Sequence, residues 1–95
     1  MSILILGANG FIGKNISKHF IDSTKVDSSF HNFLNGPGYD KFNKHDIIID
    51  CVGKYGGLPY NQKYNEEVYF ENTLININIK KLIKFLDPTR YIKIY

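Results

Sequence analysis

The stretch SILILGANGFIG, which spans residues 2–13, decides the fold of this protein. Its first five residues are almost all apolar, as in a strand that is buried on both faces of a parallel sheet. Three glycines follow at once, Gly7, Gly10 and Gly13. An apolar helical pattern begins among them, so the stretch predicts a strand, a tight turn and a helix in direct succession.

The helix predicted after the glycines covers about residues 12–22. Its apolar side chains recur at a spacing of about four, which places them on one face. We expect this face to pack on the sheet and the polar face to meet solvent. The apolar face comprises Phe11, Ile12, Ile16, Phe20 and Ile21, and the polar face comprises Lys14, Asn15, Ser17 and Lys18.

The rest of the chain alternates between strands and a helix. Residues 46–52 and 91–95 predict strands, and residues 25–27 predict a short strand within the irregular segment 23–45. A long helix is predicted over residues 65–86 because an apolar stripe at helical spacing runs along it. That stripe comprises Val68, Ile75, Ile79, Leu82, Ile83 and Leu86.

Residues 75–79 also alternate with period two, as a strand would, but the helical stripe is longer and we favour the helix. The resulting order, β-α-(β)-β-α-β, predicts an α/β fold with right-handed crossovers. We expect a truncated Rossmann-like parallel sheet of about three to four strands with flanking helices. Residues 1–95 would then form one partial NAD(P)-binding Rossmann domain.

The glycines predict a site for a dinucleotide cofactor, NADP or NAD. Gly7 permits a tight turn, Gly10 lets a pyrophosphate approach the backbone, and Gly13 lets the helix pack closely on the sheet. Unpaired N–H groups at the helix start would bind the phosphates. The spacing is G-x-x-G-x-x-G, and the alternative is a glycine-rich turn that needs no ligand.

An acidic residue about 20 positions after the first glycine reads the cofactor ribose in such folds. Asp27 stands at that distance from Gly7 and would favour NAD. Its neighbours Lys25, Ser28 and Ser29 could instead hold the 2′-phosphate of NADP, so the sequence leaves the choice of cofactor open. An ordinary turn aspartate is the alternative role for Asp27.

Length and composition exclude several classes of protein. The 95 residues and 11.0 kDa allow one domain at most. The longest apolar runs are far too short for a membrane span, and no secretory signal is recognisable. The single Cys51 excludes an internal disulfide, which together with the missing signal predicts a cytoplasmic protein. The net charge of +3 is too small to predict a nucleic-acid partner, and the three histidines show no metal-ligand spacing.

Two motifs resemble a known family. GANGFIG, residues 7–13, resembles the cofactor loop of the extended short-chain dehydrogenase/reductases, the NAD-dependent epimerase/dehydratase family. DCVGKYGGL, residues 50–58, is most similar to a segment in the N-terminal part of GDP-L-fucose synthases. Downstream residues fit the same pattern: Asn61, Tyr64, Glu71, Asn72 and Asn78.

The resemblance implies an NADPH-dependent epimerase/reductase that acts on a nucleotide-sugar. It implies that the turn residues contact the cofactor, that Gly53 lies against the cofactor ribose, and that Lys54 to Gly57 border the nicotinamide and the sugar. Asn72 would brace that loop from the long helix, or else be an ordinary helical surface residue. The expected cofactor contacts are Gly7, Asn9, Gly10, Phe11, Ile12, Gly13, Asp27, Val52, Gly53 and Lys54.

The family's catalytic groups are not found in this sequence. They comprise a Ser or Thr after the next strand and a Tyr-x-x-x-Lys motif, and no Tyr-x-x-x-Lys occurs here. We therefore expect a dinucleotide-binding N-terminal fragment that is catalytically incomplete alone and could meet a nucleotide-sugar only if a missing half completes it. The alternative is a non-catalytic interaction module that forms homo-oligomers through an exposed sheet edge at residues 91–95.

Overall fold

The computed structural model describes residues 1–52 and 65–94 of the chain. These residues form the strands β1 (Ile3–Leu6), β2 (Thr24–Val26), β3 (Ile47–Asp50) and β4 (Arg90–Lys93). They also form the helices α1 (Phe11–His19) and α2 (Asn65–Leu86) and two short 3-10 helices, Phe33–Asn35 and Tyr39–Lys41. Each strand and helix expected from the sequence is present, with ends that differ by a few residues.

The four strands form one parallel sheet in the order β2-β1-β3-β4. Ile5 lies in register with Lys25 on one side and with Ile49 on the other, and Ile49 is in register with Ile92. The chain steps from β1 to β2 in one direction and from β3 to β4 in the other. Right-handed crossovers therefore place α1 and α2 on opposite faces, which confirms the expected Rossmann-like α/β arrangement.

The main core lies between the sheet and α2. Leu4, Leu6 and Ile48 project from one face of the sheet and are almost fully buried. The residues that cover them from α2 and the 3-10 segment are Ile75, Ile79, Leu82, Leu86, Phe33 and Phe42. Full burial of one such side chain contributes about 1.5–3 kcal/mol, so this cluster supplies most of the hydrophobic stabilisation. The helical interpretation of residues 75–79 is thereby confirmed.

The predicted buried face of α1 is exposed at four of its five residues, and only Ile16 is half-buried. Gly13 is the buried residue of α1, whereas Phe11 is 85% exposed and Ile12 and Phe20 are also exposed. The helix ends at His19, so Ile21 lies beyond it and is 81% exposed. The physical reason is that α1 meets the end of β1 through its backbone at Gly13, where the helix lies against the carbonyl oxygen of Gly7.

A side chain of α2 forms a hydrogen bond that holds the segment between β2 and β3 in place. The buried Asn78 donates a hydrogen bond from Nδ2 to the carbonyl oxygen of Phe33 at 2.5 Å. Asn32 caps the first 3-10 helix by accepting the N–H of Leu34 at 3.0 Å. These contacts give the segment a defined path although its only regular structure is the two short 3-10 helices. In the described part of the chain, no helix is long and apolar enough to cross a membrane.

Candidate functional site

The turn between β1 and α1 brings two stretches of backbone very close together. Gly7 has a φ of 73°, and a Cβ there would lie 2.9 Å from backbone atoms of Cys51 and Val52. A Cβ on Gly13 would lie 2.0 Å from the carbonyl oxygen of Gly7. The fold itself therefore requires glycine at both positions.

Gly10 differs from the other two glycines because the fold does not require it. It has extended backbone angles, φ −73° and ψ 170°, which any residue adopts. A Cβ on Gly10 would come no closer than 3.7 Å to another atom, the carbonyl oxygen of Gly7. The absence of a side chain at this position leaves the start of α1 uncovered.

The start of α1 presents free backbone donors. Gly10 is the N-cap residue, no side chain caps the helix, and no acidic residue occurs in its first turn. The first N–H groups of any α-helix lack intrahelical partners and carry the positive end of the helix dipole. This geometry suits an anion that approaches over Gly10.

A cavity of about 340 Å³ opens in front of this turn. It lies between the carboxyl ends of the strands and the first 3-10 helix, the place where ligands bind in open α/β sheets. The predicted cofactor residues that line it are Gly7, Asn9, Gly10, Asp27 and Val52. The structure thus brings the glycine turn, the end of β2 and the end of β3 to one cavity.

The other predicted cofactor residues have different positions. Phe11 and Ile12 begin α1 but do not line this cavity, and Gly13 is buried against Gly7. Gly53 and Lys54 lie outside the described residues. Predicted contacts of Phe11 and Ile12 with a cofactor would therefore use their backbone N–H groups, since neither residue lines the cavity.

Asp27 lies at the end of β2 with its carboxylate held in one orientation. Its Oδ1 accepts the backbone N–H of Ser29 at 2.9 Å and the hydroxyl of Ser29 at 2.5 Å. These bonds, the side-chain bond first, lower the pKa of Asp27 below its ordinary value because they stabilise the charged form. The group is therefore a fixed anion at neutral pH.

The three neighbours of Asp27 that could hold a 2′-phosphate make different contacts; they are Lys25, Ser28 and Ser29. The hydroxyl of Ser29 is taken by Asp27. The ammonium group of Lys25 donates to the carbonyl oxygens of Ile21 and Ser23 at 3.1 and 3.2 Å. Ser28 is exposed and lines the cavity. These three side chains therefore do not converge on a common phosphate position.

Residues of the irregular segment 23–45 complete the cavity, and sequence reasoning missed them. They are His31, Asn32, Phe33 and Leu34, joined by Ile75 of α2. No periodic pattern marks this segment, because its residues are fixed by tertiary contacts such as the hydrogen bond from Asn78 to Phe33. The available signal was the phenylalanine content of the segment, because phenylalanine side chains are usually buried and therefore indicate contact with a core.

A buried ionic cluster lies at the carboxyl ends of β3 and β4. Asp50 is fully buried, and its Oδ2 accepts the hydroxyl of Tyr91 at 2.5 Å and lies 3.3 Å from the ammonium group of Lys93. Oδ1 of Asp50 accepts the N–H of Val52 at 2.9 Å, and Lys93 donates to the carbonyl oxygen of Val52 at 2.8 Å. The cluster fixes the backbone that closes one side of the cavity.

Cys51 sits between this cluster and the glycine turn and is half-buried. Burial, with a smaller contribution from the Asp50 carboxylate, raises the pKa of the Cys51 thiol above its ordinary value. A thiol in this state is neutral at physiological pH and a poor nucleophile. Cys51 therefore acts as a small packing residue.

No protein-family model and no curated protein matches this chain. A solved structure named DdhaC is similar to it, with a TM-score of 0.85 and 17% sequence identity. The match covers 97% of this chain and 29% of DdhaC. At this identity the similarity shows the fold alone, a Rossmann-like arrangement that makes up part of a larger protein.

Proposed function

We propose that this chain binds a dinucleotide cofactor, NAD or NADP, at the turn between β1 and α1. The observation that carries the proposal is the contrast among the three glycines. Gly7 and Gly13 are demanded by backbone contacts, but Gly10 has room for a side chain. A glycine that the fold does not need, placed at the open start of a helix, is explained by a ligand that needs the space.

The pyrophosphate would lie over Gly10 and accept the first N–H groups of α1. The uncapped helix start and the lack of acids in the first turn favour a negative group there. The adenosine ribose would then meet Asp27 at the end of β2. The remaining part of the cavity, beside Val52, would hold the groups that follow along the cofactor.

We propose cofactor binding, and not a complete reaction, as the activity of these 95 residues. The resemblance to GDP-L-fucose synthases suggests that the longer proteins of this kind act on nucleotide-sugars. Their Tyr-x-x-x-Lys motif does not occur in this sequence. A nucleotide-sugar would become a substrate only where another polypeptide segment supplies that motif and the sugar site.

The test is a titration of the purified chain with NADH and with NADPH, followed by cofactor fluorescence and calorimetry. We expect saturable binding of at least one cofactor and its loss in Gly10→Val, whose side chain would fill the phosphate position. Circular dichroism of this variant checks that it is folded, and Gly10→Ala, whose Cβ would meet nothing closer than 3.7 Å, is the milder companion variant. Absence of saturable binding, or equal binding by Gly10→Val, contradicts the proposal.

A second candidate function, self-association, is favoured by the exposed apolar surface on the α1 side of the sheet. Ile92 of β4 is 37% exposed although its register partner Ile49 is buried. Phe11, the first residue of α1, is exposed as well, and so are Phe20 and Ile21, which follow the helix. A second copy could pair along β4, which has a neighbouring strand on one side only among the described residues. Sedimentation at several concentrations tests this candidate, and a monomer throughout contradicts it.

A further inference from the structure

The backbone that follows β3 is held at Val52 by side chains and no longer by the sheet. Cys51 still donates its N–H to the carbonyl oxygen of Leu6 on β1, at 2.9 Å. One residue later, the N–H of Val52 donates to Oδ1 of Asp50 at 2.9 Å, and the carbonyl oxygen of Val52 accepts from the ammonium group of Lys93 at 2.8 Å. Both polar groups of the Val52 backbone are therefore bonded to side chains of the ionic cluster.

Lys93 reaches both Asp50 and Val52 because of the register of the sheet. Asp50 and Lys93 are register partners on β3 and β4. The ammonium group of Lys93 lies 3.3 Å from Oδ2 of Asp50 while it donates to the Val52 carbonyl oxygen. The Lys93 side chain is 14% exposed, so these bonds form largely out of water, where they are stronger than at an open surface.

Val52 borders the cavity in front of the glycine turn, whereas Asp50 and Lys93 are not among the residues that line it. Since the N–H of Val52 is bonded to Asp50 and its carbonyl group to Lys93, Val52 offers the cavity its apolar side chain and no free backbone group. This gives the cavity an apolar wall beside the end of β3, as is usual in cofactor sites.

The two ends of the Val52 residue are held unequally. The nitrogen is fixed from two sides, by the bond to Asp50 and by Gly7, where a Cβ would lie 2.9 Å from that nitrogen. The carbonyl group has Lys93 as its donor. Without Lys93 this carbonyl group would turn toward water in the open cavity, because an unpaired carbonyl group away from solvent is costly.

We propose that Lys93 is a positioning residue for the cofactor, which keeps the Val52 carbonyl group turned away from the cavity and so preserves the apolar wall. This inference rests on the proposed dinucleotide function and names the residue that prepares one part of its site. The part affected is the one beyond the pyrophosphate. The adenosine diphosphate part would meet Gly10 and Asp27, to which the ionic cluster makes no hydrogen bond among the described residues.

The test measures the affinities of the chain for NADH, NADPH and ADP, since ADP carries the adenosine and the two phosphates alone. We expect Lys93→Met to weaken binding of the preferred dinucleotide at least about tenfold and to change ADP affinity less than about twofold. Lys93→Arg keeps a charged donor and should bind the dinucleotide within about threefold of the unaltered chain. Lys84→Met, at an exposed lysine in the last turn of α2, is the matched control and should change neither affinity.

A double variant separates positioning from stability. Asp50→Asn combined with Lys93→Met removes the buried charge and keeps an oxygen that can accept the N–H of Val52, but it supplies no donor to the Val52 carbonyl group. It should be more stable than Lys93→Met in denaturant unfolding, yet bind the dinucleotide as weakly. This variant decides the question even where Lys93→Met alone fails to fold.

The outcomes distinguish this inference from the proposed function. Recovery of dinucleotide affinity together with stability in the double variant overturns the inference, because Lys93 would then act on folding alone. Equal weakening of ADP and dinucleotide binding in the folded variants also overturns it, because the effect would not be confined to the Val52 side of the cavity. Failure of the unaltered chain to bind either dinucleotide overturns the proposed function and this inference with it.

Discussion

The backbone of α1 at Gly13 rests directly on the carbonyl group of Gly7, with room for a hydrogen atom but not for a methyl group. A Cβ at position 13 would lie 2.0 Å from that oxygen and 2.9 Å from the Cα of Ala8. The neighbouring atoms are backbone and cannot move aside without distorting the turn. This contact fixes where α1 begins relative to the end of β1, and therefore where its free N–H groups point.

Replacing Gly13 by alanine should consequently destabilise the protein by at least about 2 kcal/mol, as overpacking against backbone does. Gly10→Ala is the control, because a Cβ there meets nothing closer than 3.7 Å. Urea unfolding followed by circular dichroism measures both variants. Equal stability of the two variants would show that the turn is looser than described.

Removing the positive partner of Asp50 should also be strongly destabilising. Lys93→Met leaves a fully buried carboxylate with the Tyr91 hydroxyl and the Val52 N–H as its neutral donors. Loss of one partner of a buried pair typically costs about 3–5 kcal/mol, and the partial exposure of Lys93 places the expected loss near the lower end, about 3 kcal/mol. The double variant Asp50→Asn with Lys93→Met should recover part of this loss in denaturant unfolding, and additive losses would contradict a direct pair.

The carboxyl group of Asp27 should titrate below its ordinary pKa, because Ser29 bonds to its charged form. A depressed pKa in the folded state means that this group stabilises the fold above the unfolded-state pKa and loses that contribution as the pH falls through the folded-state pKa. Carboxyl carbon shifts in NMR, followed from pH 6 downward, measure the midpoint. Ser29→Ala should raise it toward the ordinary value, and an unchanged midpoint would remove Ser29 as the cause.

The hydrogen bond from Asn78 to Phe33 should be needed for the cavity wall. Asn78→Ala leaves the carbonyl oxygen of Phe33 without its side-chain donor inside the core and should cost about 1–3 kcal/mol. Asn76→Ala, on the same helix, is the comparison and should cost less than half as much. Hydrogen exchange of residues 31–36 should rise in Asn78→Ala, and unchanged protection there would contradict the role of this bond.

The sequence by itself determined the order of the elements and the place of the glycine turn. Continuous apolar strands, the helical stripe over residues 65–86 and the three glycines are local patterns, and each reports directly on the backbone that forms it. A parallel sheet is the expected outcome where strands alternate with helices along the chain.

Only the tertiary structure decided which surfaces are buried and which charges meet. The apolar side of α1 looked like a core face, yet Phe11 and Ile21 are exposed because contact at Gly13 sets the position of the helix. Lys14 of α1 and Lys25 of β2 belong to different elements, and only the turn at Gly7, which brings α1 alongside β2, places both at one cavity. Helical period and local spacing describe one element at a time, whereas close approach between backbones depends on atoms that are distant in the chain.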